Sequence, residues 1–506
     1  MFYTVADLLL HNARRRPDSI AVIDAGEAVT YAQLAQWARR CGGYLVKRTS
    51  PGDRIAFLLP RTAETLAAYF GAHLAALVPV FLHEQLKPRQ LGHIIGHSQA
   101  SLAVAGPRHV TALREVGVPA EAIVDTSALY GPELDQPRPV IGRDLAGLSY
   151  TSGSTGAPKG VMQSHDNLVA GAVIVADYLH LSPGDRTMAL LPWSFDYGLN
   201  QPLATFAAGA TVVMQRSPRP ADICRTLAVA EVTGLAGVPT LWTAMIGRHS
   251  PFLQRRFAHL RYLTNSGGTL PKSVIDAVSA AHPQVDIYAM YGLTEAFRST
   301  YLPPELITTR PESIGKAIPN TEILIADEDG RPCPQGTPGQ LVHRGPTVAL
   351  GYWHDPAATA AVFRPHPHPR PGLPPELVVF TGDYGYADAD GYLHYTGRTD
   401  EMFKSRGIRV NPTEIEHELT VCELVAAAVV VAVPTTGPDP AILAAVVPRD
   451  TCFSIPALEK FCREHLPAHM RPWYITAWEQ LPQTPHGKPD RLAVRAELAD
   501  RFGHQS

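Results

Sequence analysis

Residues 151–160 read TSGSTGAPKG, a run of threonine, serine and glycine that ends in Lys159 and Gly160. The apolar residues 146–150 before the run predict a short buried strand, and Ser164 after it predicts the N-cap of a helix. Glycine allows backbone N–H groups to converge on an anion without a Cβ clash, and the hydroxyls add further donors. The run therefore predicts a nucleotide-phosphate site between a strand and a helix.

Two other interpretations of this run can be weighed against its residues. Serine, threonine and glycine also make up ordinary polar loops, but the length of the run and its lysine favour phosphate binding. A Walker loop needs glycine directly before its lysine and serine or threonine directly after it. Here Pro158 precedes Lys159 and Gly160 follows it, so the run does not predict a kinase or a GTPase.

The composition predicts a soluble chain of more than one domain. At 506 residues the chain exceeds the roughly 250–300 residues at which a single core splits. A net charge of −3 gives no basic footprint for nucleic acid, and no segment has the roughly 20 consecutive apolar residues that span a bilayer. Six cysteines without a CxxC pair predict reduced thiols, and the N-terminus does not resemble a signal peptide. We therefore expect a cytoplasmic protein.

The pattern of the sequence changes twice along the chain. Up to about residue 320, strand-like apolar runs alternate with helical patterns, which is typical of layered α/β sheets. From about 320 to 397 the strands are short, with Asp-Gly hairpin dipeptides at 329–330 and 390–391. The sequence thus predicts an α/β fold in which a large N-terminal domain, 1–399, includes a β-rich subdomain and a small α+β C-terminal domain, 400–506, follows.

Two histidine pairs do not predict a metal site. His93 and His97 have the i, i+4 spacing of a metal-binding helix, but no glutamate follows His93 as a zinc-protease helix requires. His366 and His368 lie in the proline-dense residues 364–371, which predict an extended surface loop without a cysteine or carboxylate nearby.

Four more motifs follow residues 151–160 in order. They are YGLTE at 291–295, the segment 339–353, TGD at 381–383 with GRTD at 397–400, and PHGK at 485–488. Together the five motifs resemble the AMP-forming superfamily that contains acyl-CoA synthetases, peptide-synthetase adenylation domains and firefly luciferase. The resemblance covers nearly the whole chain. It implies ATP and Mg²⁺ as cofactors and a C-terminal domain that is mobile.

The resemblance gives the motifs roles, because joining a carboxylate to the α-phosphate of ATP brings two anions together and needs cations and fixed dipoles. It implies that Lys159 holds the β- and γ-phosphates, that Thr294 bonds the α-phosphate and that Glu295 helps to hold Mg²⁺. Read alone, Thr294-Glu295 would be the start of a helix. The other nucleotide-binding residues that it implies are Thr151, Ser152, Gly153, Ser154, Thr155, Gly156, Gly267, Gly268, Tyr291, Gly292, Asp383 and Arg398.

The resemblance also assigns residues near and beyond the domain boundary. Lys488 matches the lysine that bridges carboxylate and α-phosphate, Asp383 matches the aspartate that binds ribose, and Asp400 falls at the hinge. Read alone, Lys488 would be a solvated loop residue and Asp383 a turn residue. Rotation about Asp400 would withdraw Lys488 and present Arg406 and Gly407 to the pantetheine thiol, a hinge movement of a kind that enzymes commonly use.

The predicted acid pocket contains Trp193, Phe195, Asp196 and Asn265. Phe195-Asp196 coincides with the pair by which peptide-synthetase adenylation domains bind the α-amino group of an amino acid. A buried aspartate needs a cationic or hydrogen-bonding partner, and an ammonium ligand would supply one. The alternative is that Asp196 caps the helix that follows it.

Other segments favour a different acid. Residues 194–201, 291–304, 314–325 and 341–353 look most like the acyl-CoA ligases associated with bacterial exosortase loci, while 481–488 leans toward adenylation domains. No carrier-protein signature follows this last segment. We therefore expect the thiol in trans, from CoA or from a phosphopantetheinyl carrier protein.

The sequence as a whole predicts ATP-dependent, AMP-forming activation of a small carboxylic acid as an acyl-adenylate, followed by transfer to a pantetheine thiol as a thioester. The alternative is a free-standing amino-acid adenylation enzyme that loads a separate peptidyl carrier protein. A non-catalytic nucleotide sensor would lack Lys488 or Glu295, and both are present. A phosphotransfer enzyme would instead release ADP.

Overall fold

The chain divides into two compact units. The larger unit contains residues 1–324 and 342–381, and the smaller unit contains 325–341 and 382–506. The sequence places the division at residue 400, but the chain from 382 onward packs with the C-terminal residues. In the computed structural model the described residues are 2–151, 158–368, 371–372, 374–398, 401, 403–405, 408–410, 412–435, 440–450, 452–484 and 487–503.

The larger unit combines helices with mostly short strands. Its α-helices are α1 Val5–Arg15, α2 Tyr31–Leu45, α3 Ala63–Leu74, α4 Pro88–Ser98, α5 Val110–Glu115, α6 His165–Tyr178, α7 Asp196–Ala207, α8 Pro220–Val229, α9 Pro239–Ile246, α10 Lys272–Ala281 and α11 Pro356–Val362. The strands up to the end of β20 are β1 Ile20–Asp24, β2 Glu27–Thr30, β3 Arg54–Leu58, β4 Val78–Phe81, β5 Ala100–Ala105, β6 Ile123–Asp125, β7 Leu145–Thr151, β8 Lys159–Ser164, β9 Arg186–Ala189, β10 Thr211–Met214, β11 Gly234–Gly237, β12 Tyr262–Asn265, β13 Asp286–Tyr291, β14 Thr300–Leu302, β15 Ser313–Ala317, β16 Glu322–Ala326, β17 Gly339–Arg344, β18 Gly351–Tyr352, β19 Phe363–Pro365 and β20 Leu377–Ala387. The two units divide within β16, β17 and β20.

Six parallel strands form the centre of the main sheet of the larger unit, in the order β1, β10, β9, β11, β12, β13. Antiparallel strands extend it, with β2 beside β1, and with β14 and β15 beyond β13. All four residues of β10 and of β12 are buried, as expected of parallel strands that are covered on both faces. A second parallel sheet has the order β4, β3, β5, β6. The predicted layers of α/β structure are confirmed, and the carboxyl ends of the parallel strands form the edge at which such folds bind ligands.

The described ends of the phosphate-binding motif lie on an antiparallel pair of strands. Strands β7 and β8 pair from Leu145 opposite Ser164 to Thr151 opposite Lys159, and β18 pairs with the other edge of β8. The strand predicted before the motif is present as β7 and the helix predicted after it as α6, but the sequence does not predict β8, which lies between the motif and the helix. The prediction of the N-cap is confirmed: Ser164 Oγ accepts from the backbone N–H of Asn167 at 3.1 Å, one turn into α6.

Asn167 also connects α6 to a distant part of the larger unit. Its side-chain Oδ1 accepts from the N–H of Ser164 at 2.9 Å. Its Nδ2 donates to the carbonyls of Pro346 and Val348, both at 2.8 Å. The buried amide thus holds the segment that leads to β18 against the start of α6.

The smaller unit has three described helices and six strands that follow β20. They are α12 Pro412–Val421, α13 Ile455–His465, α14 Arg491–Gly503, β21 Leu393–Arg398, β22 Phe403–Ser405, β23 Ile408–Val410, β24 Val425–Val433, β25 Ala441–Pro448 and β26 Tyr474–Ala477. Strands β24 and β25 form an antiparallel pair, and β26 lies parallel to β25. These elements agree with the small α+β pattern that the sequence predicts after residue 400.

Two local expectations for the β-rich segment have different outcomes. The Asp-Gly dipeptide at 390–391 lies in the turn between the antiparallel strands β20 and β21, with φ of 78° at Gly391. The proline-dense residues predict a loop from Arg364, but Arg364 and Pro365 belong to β19 and pair with β20. The ladder therefore continues two residues into the segment that the sequence assigns to a loop.

Candidate active site

The residue that the sequence singles out in the acid pocket, Asp196, has a cationic partner within the chain. Asp196 is the first residue of α7, and its side chain is 5% exposed. Its Oδ2 lies 3.4 Å from Nη1 of Arg298, whose side chain is 3% exposed. Its Oδ1 accepts from Thr294 Oγ1 at 3.5 Å. The N-cap of α7 is Phe195, so the expectation that Asp196 itself caps the helix is wrong; as an acid in the first turn it favours the helix through the dipole.

Arg298 is the functional candidate that sequence reasoning missed. Within the described part of the chain, its Nε and Nη2 atoms are buried and have no hydrogen-bond partner. Its guanidinium lies 4.9 Å from the ring centroid of Tyr197 and 5.5 Å from that of Phe297, within cation–π range of both. The sequence carries little signal for this burial, since only two apolar residues, Ala296 and Phe297, precede Arg298, and a serine and a threonine follow it.

The backbone around Arg298 is tightly constrained. Tyr291 ends β13, and its carbonyl accepts from the N–H of Ser299 at 3.2 Å, which turns the chain back on itself. A Cβ on Gly292 would lie 3.3 Å from the Cα of Arg298, so this approach requires glycine or a small adjustment. Phe297 has φ of 48°, a left-handed conformation that is unusual for a bulky residue. Strain of this kind clusters at functional sites.

A buried histidine supports the same segment. His343 Nδ1 lies 3.0 Å from Ser299 Oγ, and its Nε2 lies 3.1 Å from Thr347 Oγ1. Thr347 in turn donates to the carbonyl of Arg298 at 3.3 Å. Burial lowers the pKa of His343 to about 3. The imidazole is therefore neutral at pH 7, and it holds the Arg298 segment without adding charge.

Three motifs meet around Tyr352. The Tyr352 hydroxyl donates to Glu295 Oε1 at 2.6 Å, and the Nζ of Lys159 lies 5.3 Å from the centroid of the Tyr352 ring. The backbone N–H of Ala349 donates to the carbonyl of Glu295 at 2.9 Å. Because Tyr352 pairs with Val161 on β8, the strand register brings the lysine and the glutamate to one tyrosine.

The remaining predicted pocket residues lie at two places in the larger unit. Asn265 ends β12, and its Nδ2 donates to the carbonyl of Gly268 at 2.9 Å, across a turn in which Gly267 has φ of 84°. Trp193 is 5% exposed and packs against Phe81 with ring centroids 5.7 Å apart. In the described residues neither Trp193 Nε1 nor Asn265 Oδ1 has a hydrogen-bond partner, so each is a buried polar atom available to a ligand.

Some predicted site residues lie outside the described residues. Thr151 and Lys159 face each other as the last register pair of the hairpin. Eight others lie outside the described residues. They are Ser152, Gly153, Ser154, Thr155 and Gly156 of the phosphate-binding motif, Asp400 of the proposed hinge, and Arg406 and Gly407 of the proposed pantetheine region.

The predicted ribose residues are neighbours in the smaller unit. Asp383 on β20 is the register partner of Arg398 on β21. Arg398 Nε lies 3.6 Å from Asp383 Oδ1, and the Asp383 side chain is 6% exposed. Burial, and then the charge of Asp383, raise the pKa of nearby Tyr395 above its ordinary value.

Lys488 lies on a tight turn of the smaller unit. An antiparallel bridge joins Gln483 to Pro489, and the N–H of Thr484 donates to the carbonyl of Lys488 at 2.7 Å. Gly487 has φ of 77°, a conformation that glycine adopts readily. Backbone hydrogen bonds thus hold the chain at Lys488, while Lys488 itself is exposed.

A partly buried ion pair holds the helix that follows this turn. Arg491 binds Glu416 through Nη1 and Nη2, with both contacts at 2.6 Å, and its Nε lies 3.3 Å from Glu401. The N–H of Val430 donates to Glu416 at 2.6 Å, and the carbonyl of Val430 accepts from Arg491 at 3.0 Å. Every nitrogen of this guanidinium has an acceptor, in contrast to Arg298.

The described residues contain no group of three or more histidine, cysteine, aspartate or glutamate side chains placed to hold a metal ion by themselves. Nor does any helix in that part of the chain combine the length and apolar character needed to cross a membrane.

Profiles of known families match both parts of the chain. The AMP-binding enzyme family matches residues 9–353, and its C-terminal domain family matches residues 414–488. Two curated relatives illustrate the two kinds of match. Feruloyl-CoA synthase from Amycolatopsis sp is 31% identical, with 98% of each chain covered. Tyrocidine synthase 3 from Brevibacillus parabrevis is 29% identical over 97% of this chain, which spans 8% of that protein's length.

The fold is shared with a solved enzyme. The o-succinylbenzoate CoA synthetase from Bacillus subtilis, in complex with its acyl-adenylate intermediate, has a TM-score of 0.86 and 25% identity, with 97% of this chain and 98% of that chain covered. The predicted fold class is confirmed, while the narrower resemblance to exosortase-associated ligases stays a prediction. The chain belongs to the AMP-binding enzyme family, which includes the AMP-forming acyl-CoA synthetases and the peptide-synthetase adenylation domains that its five motifs resemble.

Proposed function

We propose that this chain activates a small carboxylic acid with ATP and transfers the acyl group to a pantetheine thiol. In the first step a carboxylate oxygen attacks the α-phosphorus, the bond to the β-phosphate oxygen breaks, and pyrophosphate leaves. In the second step the thiol attacks the acyl carbonyl, loses its proton and displaces AMP. The observation that carries the proposal is the meeting of Lys159, Tyr352 and Glu295, with Thr294 next in sequence contacting Asp196.

The larger unit supplies the groups that handle the triphosphate. Lys159, at the end of the hairpin loop, provides a cation for the β- and γ-phosphates, on which negative charge grows as pyrophosphate leaves. Thr294 would donate its hydroxyl proton to the α-phosphate, which requires it to give up its 3.5 Å contact with Asp196 Oδ1. Glu295 fits Mg²⁺ through its carboxylate oxygens, the ligand type that this ion prefers, and Tyr352 orients them by its hydrogen bond. When bound, Mg²⁺ would neutralise phosphate charge.

The smaller unit supplies the ribose contact and the second cation. Asp383, held beside Arg398, can accept hydrogen bonds from both ribose hydroxyls. Lys488 would bridge the attacking carboxylate and the α-phosphate, and its turn presents an exposed residue on a fixed backbone. A hinge at Asp400 would then replace Lys488 with the region of Arg406 and Gly407 for the thiol step.

The acid is better described as lacking an α-amino group. The amino-acid alternative needs Asp196 to pair with a substrate ammonium, yet its carboxylate already contacts the guanidinium of Arg298 and the hydroxyl of Thr294. A substrate ammonium would have to share this carboxylate with Arg298, and the two cations would repel each other at close range. This geometry favours acyl-CoA or acyl-carrier ligation, with CoA or a separate carrier protein as the acceptor.

Product analysis tests the proposed reaction. Pyrophosphate exchange should be measured with fatty, aryl, dicarboxylic and amino acids, and the nucleotide product should be identified for each active acid. AMP and pyrophosphate are expected. ADP as the stoichiometric product would disprove the assignment, and activation confined to amino acids would establish the alternative.

Lys488→Ala separates the two steps. Adenylate formation should fall by roughly 10²–10³-fold, the scale for losing one contact that stabilises transition-state charge, while thioester formation from supplied acyl-adenylate should survive. Lys460→Ala, at an exposed lysine of the same unit, is the matched control and should leave both steps unchanged. Equal loss of both steps in a folded Lys488→Ala variant would contradict the proposed role.

A further inference from the structure

The unused donors of Arg298 are the feature that points beyond the general reaction. Of its three guanidinium nitrogens, Nη1 contacts Asp196 at 3.4 Å, whereas Nε and Nη2 have no partner in the described residues. The side chain is 3% exposed. A buried donor without an acceptor destabilises the protein, and a charged donor does so more strongly. The arrangement is therefore costly unless a ligand supplies the acceptor.

The two unpaired nitrogens form one recognition element. Nε–H and the adjacent N–H of Nη2 lie along the same edge of the planar guanidinium and point in parallel. Such a fork matches the two oxygens of a carboxylate, and the resulting bidentate pair is stronger and more specific than a single hydrogen bond. Asp196 contacts the third nitrogen, so neither nitrogen of the fork has an acceptor among the described residues.

The surroundings fix the direction of the fork. The rings of Tyr197 and Phe297 lie 4.9 Å and 5.5 Å from the guanidinium carbon. Phe297 holds a left-handed backbone conformation, with its ring close to Gly171 on α6, where a Cβ would lie 2.2 Å from the ring. Thr347 holds the carbonyl of Arg298 from the other side. A side chain held in this way loses little further freedom when it binds a ligand.

The contacts of Asp196 connect the fork to the proposed reaction centre. Asp196 contacts both Thr294, the proposed donor to the α-phosphate, and Arg298. A single side chain therefore separates the reaction centre from the fork. An acid bound at the centre could present a second carboxylate to Arg298 if only a few carbon atoms joined the two groups.

We propose that Arg298 binds a second carboxylate of the acid substrate, so that the enzyme selects short dicarboxylic acids over monocarboxylic acids of the same length. This inference rests on the proposed function, because it specifies the acid that the same site activates. Arg298 is a specificity-determining residue, and Asp196 keeps the fork directed toward the substrate.

Chain-matched acids test the selection. Pyrophosphate exchange is measured for wild type with succinate and butyrate, glutarate and pentanoate, adipate and hexanoate, and phthalate and benzoate. The best dicarboxylate should exceed its monocarboxylate partner in kcat/KM by at least about 100-fold, since sites built to hydrogen-bond a substrate group reject analogues that lack it. Arg298→Lys keeps the charge but removes the fork, and Arg298→Met removes both. In each variant the ratio should approach one, mainly through lower activity on the dicarboxylate.

Controls keep the result interpretable. Arg225→Met changes an exposed arginine of the larger unit and should leave the ratio intact. If Arg298→Met does not fold, Asp196→Asn combined with Arg298→Met removes the unpaired charge, and Arg298→Lys tests the fork while the positive charge is kept. AMP formation without a preference for any dicarboxylate, or a preference that persists in the Arg298 variants, overturns the inference alone. No AMP from any of the tested acid classes overturns the proposed function as well.

Discussion

Each unit of the molecule contains an arginine–carboxylate pair that is shielded from solvent, fully for Arg298–Asp196 and partly for Arg491–Glu416, and the two pairs differ in how many guanidinium nitrogens have an acceptor. Arg491 donates to Glu416 through two contacts of 2.6 Å and also reaches Glu401 and the carbonyl of Val430. Arg298 makes one contact of 3.4 Å to Asp196. A pair whose donors are all used can only support structure, whereas a pair with unused donors retains the capacity to bind a ligand.

The largest loss of stability is expected when Arg491 is replaced, because each nitrogen of its guanidinium has an acceptor. Arg491→Met would leave the Glu416 carboxylate without its cation, and since the two side chains are 25% and 13% exposed we expect a loss of about 2–3 kcal/mol, less than for a fully buried pair. The loss should appear as a lower midpoint for unfolding of the smaller unit in chemical denaturation. Arg495→Met, at an exposed position of the same helix, should stay within about 0.5 kcal/mol of wild type. Equal losses for the two variants would show that the Glu416 pair does not stabilise the unit.

The next effect is a dependence of stability on pH that we expect from His343, which supports the segment containing Arg298. His343 has a folded-state pKa of about 3 against an ordinary value of 6.5, so below pH 6.5 the unfolded chain binds a proton that the folded chain does not. Stability is therefore complete above about pH 6.5 and falls by up to about 1.4 kcal/mol per pH unit toward pH 3. His343→Gln should reduce this slope by about that amount in denaturation series between pH 4.5 and 7.5.

Other histidines define the background for that measurement. Burial also lowers the pKa of His165, to about 4, and that of His73, so part of the slope should remain in His343→Gln. His249→Gln, at an exposed position, should leave the slope unchanged. A wild-type slope in His343→Gln would mean that His343 is protonated, or is exposed, in the folded state.

A smaller effect is expected at Tyr352, which links the lysine and the glutamate of the nucleotide site. Tyr352→Phe removes a hydrogen bond to the Glu295 carboxylate but keeps the ring beneath Lys159. We expect about a tenfold loss of kcat/KM for magnesium-ATP, or about 1.4 kcal/mol, as for one hydrogen bond to a charged group. Steady-state pyrophosphate exchange measures it, with the exposed Tyr3→Phe as control. An unchanged magnesium dependence would separate Tyr352 from the metal-binding role of Glu295.

The smallest change in stability is expected when both members of a pair are replaced, and it tests the comparison between the Arg298 and Arg491 pairs. Replacing both members of a buried pair is often neutral for stability, so Asp196→Asn with Arg298→Met should lie within about 1 kcal/mol of wild type. Glu416→Gln with Arg491→Met should cost about 1–2 kcal/mol more, because the carbonyl of Val430 loses its donor, whereas the glutamine amide oxygen can still accept from the N–H of Val430. Urea denaturation of the two double variants measures their free energies of unfolding. The reverse order would mean that the Arg298 pair is the structural one.

The sequence predicts the components of the site better than their contacts. Motif order was sufficient to identify the family, and Ser164 was correctly predicted as an N-cap because helix starts depend on local residue types. The strand β8 was missed, since six residues with one lysine carry little periodicity and depend on pairing with β7 and β18. The roles proposed for Lys159, Thr294, Glu295 and Lys488 stay predictions.

Arg298 shows why the rest of the site could not be predicted. Its partner Asp196 lies 102 residues earlier in the chain, and nothing local to either residue indicates that they meet. The sequence showed only that Asp196 needs a partner, and a substrate ammonium was as reasonable a partner as a distant side chain. Tyr352 was likewise visible only as part of a motif, because its contact with Glu295 depends on strand register.

The amide of Asn167 has a consequence for the order in which the protein takes shape during its synthesis. Its acceptors at Pro346 and Val348 lie 179 and 181 residues later in the chain. At roughly 5–20 residues per second, a ribosome needs on the order of ten to forty seconds to cover that interval. A nascent chain arrested before Pro346 should therefore show fast hydrogen exchange in the first turn of α6, and one arrested well past Val348 should show protection. The strand and helix that flank the phosphate-binding loop would thus settle only when most of the larger unit has emerged.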